Sequence, residues 1–235
     1  MTNGIDTQNL FPSHVAFIMD GNRRWAKKNN LPIIDGHKKG AEIIKKIVRK
    51  SIKLNIKYLT FYGFSSENWN RSRDEVIQLQ TLLKIYLDSE TDNFMKNKIN
   101  FSFIGDIRKF SFPIREKLYN LKKITNNFSK LFFTLALGYG SRAEILWAIN
   151  QILKKKNTIN ITERNISRNL MTSHLPEPDL VIRTSGEKRL SNFLLWQIAY
   201  SELYFTKTQW PDFDVNRYMI ALNNFVNRRR RYGGD

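Results

Sequence analysis

Short apolar runs alternate with longer amphipathic stretches along the whole chain. Five apolar runs, residues 15–19, 58–64, 99–104, 131–137 and 180–183, read as buried strands. Between them, residues 40–53, 74–96, 113–123 and 143–155 have helical spacing, and 193–203 and 215–229 read as two further helices. In the first of these, Ile43, Ile44, Ile47 and Val48 mark one apolar face against Lys45, Lys46, Arg49 and Lys50. Residues 76–86 are apolar around much of the helix circumference, so that segment is either wholly buried or walls a hydrophobic cavity. The alternation predicts a single α/β domain with a largely parallel central sheet flanked by helices. No repeat, low-complexity stretch or linker divides it. Residues 1–13 read as a flexible N-terminal extension and 14–235 as the domain.

Ligands of open parallel sheets collect at the carboxyl ends of the strands, and here those ends are chemically loaded. The first strand runs into Asp20-Gly21-Asn22, followed by Arg23, Arg24 and Trp25. The second runs into Ser65-Ser66-Glu67-Asn68-Trp69-Asn70-Arg71, the fourth into Gly138-Tyr139-Gly140-Ser141-Arg142, and the fifth into Arg183-Thr184-Ser185-Gly186-Glu187-Lys188-Arg189. A carboxylate suits Mg²⁺, while backbone N–H groups and guanidiniums suit phosphate. Any one loop could be a tight turn with solvated charges; four loops on one sheet edge point to a shared anion site. Arg183, Arg189 and Ser191 form a second basic cluster able to hold a diphosphate, the alternative being a pair of surface salt bridges. His37 precedes a lysine-rich helix and either donates to a phosphate at its N-terminus or is structural, the commoner use of a lone histidine. Trp25 and Trp69 serve either an apolar substrate tail or the core. Glu202, inside FLLWQIAYSELYF, is either exposed at a helix end or paired with a cation or metal.

Composition narrows the partners. With 41% hydrophobic residues the 235-residue chain can build a substantial core, and without cysteine it has neither disulfides nor thiolate metal sites. Histidines 14, 37 and 174 lack the spacing of a zinc site. No segment has the pattern of a membrane span or secretory signal, so a cytoplasmic protein is expected. The net charge of +18 favours anionic partners: phosphorylated substrates, acidic lipid surfaces or nucleic acid. The arginine run at 228–231 is a solvated tail or a patch for such a partner. There is no GxxxxGK[ST] loop, no GxGxxG loop and no DDxxD cluster. The residues alone lead to a magnesium-dependent enzyme acting on diphosphates.

From His14 to Gly234 the chain resembles the cis-prenyltransferases, and among them the bacterial undecaprenyl diphosphate synthases. The resemblance runs in order through HVAFIMDGNRRWA, GHKKGA, FYGFSSENWNRS, IGD, GYGSR, DLVIRTSGEKRLSNFLLWQIAYSELYF, WPDFD and RRYGG. It implies condensation of isopentenyl diphosphate onto an allylic diphosphate, usually farnesyl diphosphate, with a Z double bond formed each cycle and an apolar tunnel beneath the strand ends for the growing chain. The long product is a cell-wall lipid carrier precursor; a cis-prenyltransferase of other product length is the near alternative. By the same resemblance Asp20 engages Mg²⁺ and Glu202 is a second metal ligand. Gly21, Asn22, Arg23, Arg24 and His37 surround the allylic diphosphate, and Trp25 belongs to the same substrate-binding set. Ser65, Ser66, Glu67, Trp69 and Arg71 form a second substrate loop. Asn68 matches the residue assigned as proton acceptor, although a neutral amide is a poor base and the diphosphate or a held water is chemically better. Arg183, Lys188, Arg189, Leu190 and Ser191 match the isopentenyl diphosphate loop. The family is homodimeric, and Arg231, Tyr232 and Gly233 match an RxG motif that reaches the partner's site. Peripheral contact with a membrane suits the charge, and no nucleic-acid partner is expected. A basic nucleic-acid-binding protein and an inactive scaffold subunit remain the readings from other classes.

Two positions depart from the family pattern. Ile33 stands where an arginine usually touches the allylic diphosphate, which removes one charge-assisted contact. Gly138 stands where asparagine is common, which is expected to loosen that loop.

Overall fold

The computed structural model describes residues 10–154 and 160–228. Six strands form one fully parallel sheet: β1 (His14–Ile18), β2 (Tyr58–Ser65), β3 (Ile99–Ile104), β4 (Leu131–Tyr139), β5 (Leu180–Arg183) and β6 (Glu202–Phe205), in the order β3-β4-β2-β1-β5-β6. The helices are α1 (Asn22–Lys28), α2 (Ile33–Lys53), α3 (Arg73–Lys96), α4 (Phe112–Thr125), α5 (Ser141–Leu153), α6 (Glu163–Asn169) and α7 (Val215–Val226). The strand order reverses at β1, whose neighbours are β2 and β5. That reversal is where a crevice opens in a parallel sheet.

The central strands β1, β2, β4 and β5 are largely apolar because both faces are covered. On β1, Val15 and Phe17 enter a large core with residues of α2, α3, α4 and α7, while Ala16 and Ile18 enter a second core with Val181, Phe193 and Leu194. Successive side chains of a strand point to opposite faces, so the unbroken run HVAFI is what a central strand requires. Phe17 stacks on Phe61 at 4.8 Å, and Phe61 on Phe133 at 5.1 Å, which ties β1, β2 and β4 together across the large core.

The five strands expected from the apolar runs are all present. One expectation fails: residues 193–203 are not a helix. Ser191, Asn192 and Leu194 take left-handed backbone angles, turns continue to Tyr200, and β6 begins at Glu202. Phe193, Leu194 and Ile198 are buried in the second core, and the Leu195 N–H donates to Ser141 Oγ. Tertiary packing therefore overrides helical spacing in this segment. Two short helices, α1 and α6, and the edge strand β6 were not expected as elements. The expected extension, 1–13, lies outside the described residues up to residue 9. Pro12 is buried, and the Ser13 N–H donates to Asp179 at 2.8 Å.

Candidate active site

Asp20 follows β1 directly, and its backbone is fixed on two sides. Its carbonyl accepts from Thr184 Oγ1 at 2.7 Å and from the Trp210 N–H at 3.0 Å. Its carboxylate accepts from Arg183 Nη2 at 2.9 Å and lies 3.1 Å from Arg24 Nη2. Arg183 ends β5 and is only 4% exposed. Its other amino group reaches Ser191 Oγ at 2.7 Å and the Arg189 carbonyl. Gly21 then turns the chain with φ +108°, and a Cβ there would stand 2.7 Å from Ser185 Oγ. Only glycine combines that backbone angle with so close a neighbour.

The arginines are held by carboxylates that no motif along the chain marks for a role. Glu75 on α3 binds Arg71 at 2.8 Å and lies 3.4 Å from Arg23. Glu187 binds Arg24 at 2.9 Å and Arg189 at 2.5 Å, so one carboxylate joins the two basic clusters. An acid a few residues from an arginine is a common surface pattern, so only the fold distinguishes these two.

A cavity of about 420 Å³ opens between these groups. Its mouth carries Asp20, Gly21, Asn22, Arg23 and Arg24, with His37, Asn68 and Arg71 beside them. Its body is apolar: Ala41 and Ile44 from α2, Leu79, Leu82, Leu83 and Tyr86 from α3, and Leu135 and Leu137 from β4. Three elements, α2, α3 and β4, thus wall the cavity, and α3 contributes from the 76–86 segment read as a candidate cavity wall. His37 is largely buried, and its Nε2 has no partner within the protein. Burial, with help from Arg71 and Arg23, lowers its pKa to about 4, so the ring is neutral near pH 7. A neutral imidazole with an open nitrogen at a cationic mouth is suited to donate one hydrogen bond to an anion.

Asn68 belongs to the short 3₁₀ helix Ser66–Asn70, and its Oδ1 accepts the Ser65 N–H at 3.0 Å. The backbone donor must meet the carbonyl oxygen, which leaves the amide NH₂ as the free end. That end donates protons and cannot receive one.

A second groove lies across Arg183 from the cavity and is lined by Glu67, Arg142, Lys188, Arg189, Leu190 and Ser191. Glu67 accepts from Asn192 Nδ2 at 3.2 Å. Burial would raise its pKa, but hydrogen bonds from its own backbone, Asn192, Ser65 and Ser66 outweigh that and hold the carboxyl below its usual range. Ser65 and Ser66 sit at the tip of β2, where Ser66 Oγ would be 2.5 Å from a Cβ on Gly140.

Several expected site residues lie elsewhere. Trp69 packs on Phe64 and Phe110 with ring separations of 4.6 and 4.9 Å, and it does not line the cavity. Trp25 is half-buried and does not line the cavity; its Nε1 donates to Asp212 Oδ1 at 2.8 Å. Glu202 opens β6, level with Leu180 and Val15 at the amino end of the sheet, and its carboxylate accepts from Arg228 at 2.5 Å. Asp20 lies beyond the opposite ends of the same strands, so one chain does not bring these two carboxylates together. No group of three or more His, Asp or Glu among the described residues is arranged to hold a metal. Ile33 is the first residue of α2 and does not line the cavity. Gly138 is not a loose point: at φ +58° it lies within β4, and a Cβ would stand 2.3 Å from the Asp106 carbonyl oxygen. Arg231, Tyr232 and Gly233 lie outside the described residues.

A parallel sheet with an anion-binding mouth set over an apolar cavity defines a protein built to receive a molecule charged at one end and oily at the other. Residues 18–233 match the prenyltransferase family described as "Putative undecaprenyl diphosphate synthase", and the chain belongs to that family. It is 48% identical over 223 residues to an isoprenyl transferase of Fusobacterium nucleatum, covering 95% of this chain and 96% of the relative. It is 45% identical over 234 residues to the farnesyl-diphosphate-specific ditrans,polycis-undecaprenyl-diphosphate synthase of Photorhabdus laumondii, covering 97% and 92%. Among solved structures, lavandulyl diphosphate synthase of Lavandula x intermedia, in complex with dimethylallyl diphosphate, superposes with a TM-score of 0.92 at 34% identity, covering 96% of this chain and 99% of that one.

Proposed function

We propose that this protein is a Mg²⁺-dependent cis-prenyltransferase that adds isopentenyl diphosphate to an allylic diphosphate, farnesyl diphosphate in the first cycle, and releases a long Z-polyprenyl diphosphate of undecaprenyl length for the cell-wall lipid carrier. The observation that carries this reading is the cavity itself, with Asp20, three arginines and His37 at its mouth and an apolar body between α2, α3 and β4.

Departure of the allylic diphosphate leaves negative charge on its oxygens and cation character on the hydrocarbon. Arg23, Arg24 and Arg71 stabilise the departing anion, and preorganised donors in a half-enclosed site act more strongly than water does. His37 adds a neutral donor, and the Asn68 NH₂ orients a diphosphate oxygen or a water. The proton lost as the new double bond forms goes to one of these oxygens and not to Asn68. Arg183, Arg189 and Ser191 hold the isopentenyl diphosphate in the second groove. The apolar body keeps the growing chain from water and extends into a tunnel as it lengthens.

Magnesium fits the donors present. Mg²⁺ commonly takes one or two carboxylates, with substrate phosphates and waters completing its shell, and Asp20 offers a carboxylate that is 27% exposed beside the cationic mouth. The ion would supply charge neutralisation of the leaving diphosphate. Glu202 reaches such a site only from a second copy of the chain, since its own sheet separates it from Asp20. A homodimer accommodates this, and the open edge of β6 together with exposed Leu146, Trp147 and Leu153 on α5 offers surface for it. No helix among the described residues is long and apolar enough to cross a membrane, and the enzyme works from the aqueous side.

Incorporation of labelled isopentenyl diphosphate with farnesyl diphosphate and Mg²⁺, followed by product sizing, tests the reading. Product near C55 that requires Mg²⁺ and is lost in Asp20→Ala supports it. No incorporation at saturating substrate overturns it.

A further inference from the structure

Half of the chain's net charge sits in one corner of the fold. Residues 22–53, which hold α1 and α2, contain eleven Lys and Arg against two carboxylates, contributing nine of the eighteen net positive charges. On α2 the exposed positions are Lys38, Glu42, Lys46, Arg49 and Lys53, spaced by three or four residues and therefore one stripe along a helix about 30 Å long. Glu42 is taken by Lys39 at 3.2 Å and Asp35 by Lys38 at 3.0 Å. Among the described residues no ion pair holds Lys46, Arg49 or Lys53. The opposite face of α2 is buried through Ile43, Ile47 and Val48, with Ile44 lining the apolar cavity.

The amino end of the same helix carries an apolar tip. Leu31 is 43% exposed and Pro32 is exposed. The corner is fixed by left-handed Asn30, at φ 54°, and by the Leu31 N–H donating to the Ala26 carbonyl at 2.9 Å. A solvated cationic stripe ending in a rigid apolar point is the chemistry of a headgroup-docking surface.

We infer that the outer face of α2 docks on an anionic phospholipid surface, with Lys46, Arg49 and Lys53 on the headgroups and Leu31-Pro32 dipping below them. The helix then stands between membrane and cavity, its outer face on the headgroups and its inner face against the hydrocarbon chain. This deepens the prenyltransferase reading, which gives the docked enzyme a lipid product to deliver. A nucleic acid would use the cations and leave Leu31 without a role.

The full chain is sedimented, without substrates, with phosphatidylcholine vesicles containing or lacking phosphatidylglycerol. Binding is expected to need phosphatidylglycerol and to weaken as salt rises. Each cation at an anionic leaflet is worth roughly fivefold in partitioning, so loss of three charges lowers it about a hundredfold and the charge reversal K46E/R49E/K53E lowers it further. The milder K46Q/R49Q/K53Q shows the same direction and guards against misfolding of the charge-reversed chain. Leu31→Ser lowers binding roughly tenfold. Phe112→Ser, on the exposed end of α4, leaves it unchanged. Equal binding of phosphatidylcholine alone, unaltered binding by both triple variants, or an equal loss with Phe112→Ser overturns the inference. So does single-stranded RNA binding that is sensitive to the triple variants while vesicles are not bound. Isopentenyl diphosphate incorporation in detergent, where all these variants retain activity, reports separately on the condensation reading.

Discussion

Arg183 donates from Nη2 to Asp20 Oδ2 at 2.9 Å, which joins the carboxyl ends of two adjacent parallel strands. The same guanidinium holds Ser191 Oγ and the Arg189 carbonyl, so it organises the second groove as well. Asp20→Ala leaves a cation that is 4% exposed without its carboxylate, and removal of one member of such a pair is more damaging than absence of both. Arg183→Ala is expected to lower kcat by about 10²–10³ through loss of one preorganised donor, with a fall in melting temperature smaller than that of Asp20→Ala. Steady-state kinetics and thermal melts of the two variants check this.

Glu187 is shared by Arg24, at the cavity mouth, and Arg189, at the second groove. Glu187→Gln frees both arginines at once, so the KM values for the allylic substrate and for isopentenyl diphosphate should move together. Both arginines are well exposed, and exposed pairs are worth up to about 1 kcal/mol. The change should therefore be about fivefold or less. A change confined to one substrate contradicts the shared role.

Ile33 begins α2 one helical turn before His37, whose Nε2 has no protein partner. An arginine at that position gains a charge-assisted contact to the diphosphate worth roughly 1.5–3 kcal/mol. Ile33→Arg should lower the KM for farnesyl diphosphate about tenfold or more and leave that for isopentenyl diphosphate unchanged. Initial-rate kinetics with each substrate varied in turn measure it.

Leu83 lines the apolar body from α3. Leu83→Trp places a larger ring in the path of the growing chain, so products should shorten while the first condensation continues. Thin-layer sizing of labelled products gives the answer; full-length product from this variant would place the chain elsewhere.

His14 is fully enclosed at the start of β1, with Nδ1 2.7 Å from the Pro176 carbonyl and Nε2 2.8 Å from Thr60 Oγ1. Burial lowers its pKa from 6.5 to about 4, against smaller opposing effects from Pro176 and Asp179. Below pH 6.5 the unfolded chain therefore takes a proton that the native ring refuses. Stability from this residue is fully present above that pH and is lost as pH falls toward 4, by roughly 1.4 kcal/mol for each pH unit crossed. His37 acts in the same direction. Melting temperature should fall between pH 7 and pH 4.5, and His14→Gln should flatten that slope.

The class of fold is legible in the chain alone, because strands covered on both faces leave unbroken apolar runs such as VAFIM and LFFTLAL that periodicity detects. Much of the chemistry is legible too, since Asp20, Gly21, Arg183 and Arg189 fall in the loops that a parallel sheet gathers at one edge. Which of these groups meet is settled only by folding. Residues 193–203 have helical spacing yet fold as turns and a strand, because burial of Phe193, Leu194 and Ile198 outweighs local preference. Trp69 and Glu202 lie in the right motifs but away from the cavity, one packed on Phe110 and the other at the far end of its strand. Glu75 has no signature along the chain, and Glu187 stands in a marked loop without an assigned role; both acquire their roles from the arginines that folding sets beside them. Periodicity records which face of an element is buried. Partners brought together by strand order and helix packing leave no mark on that local pattern.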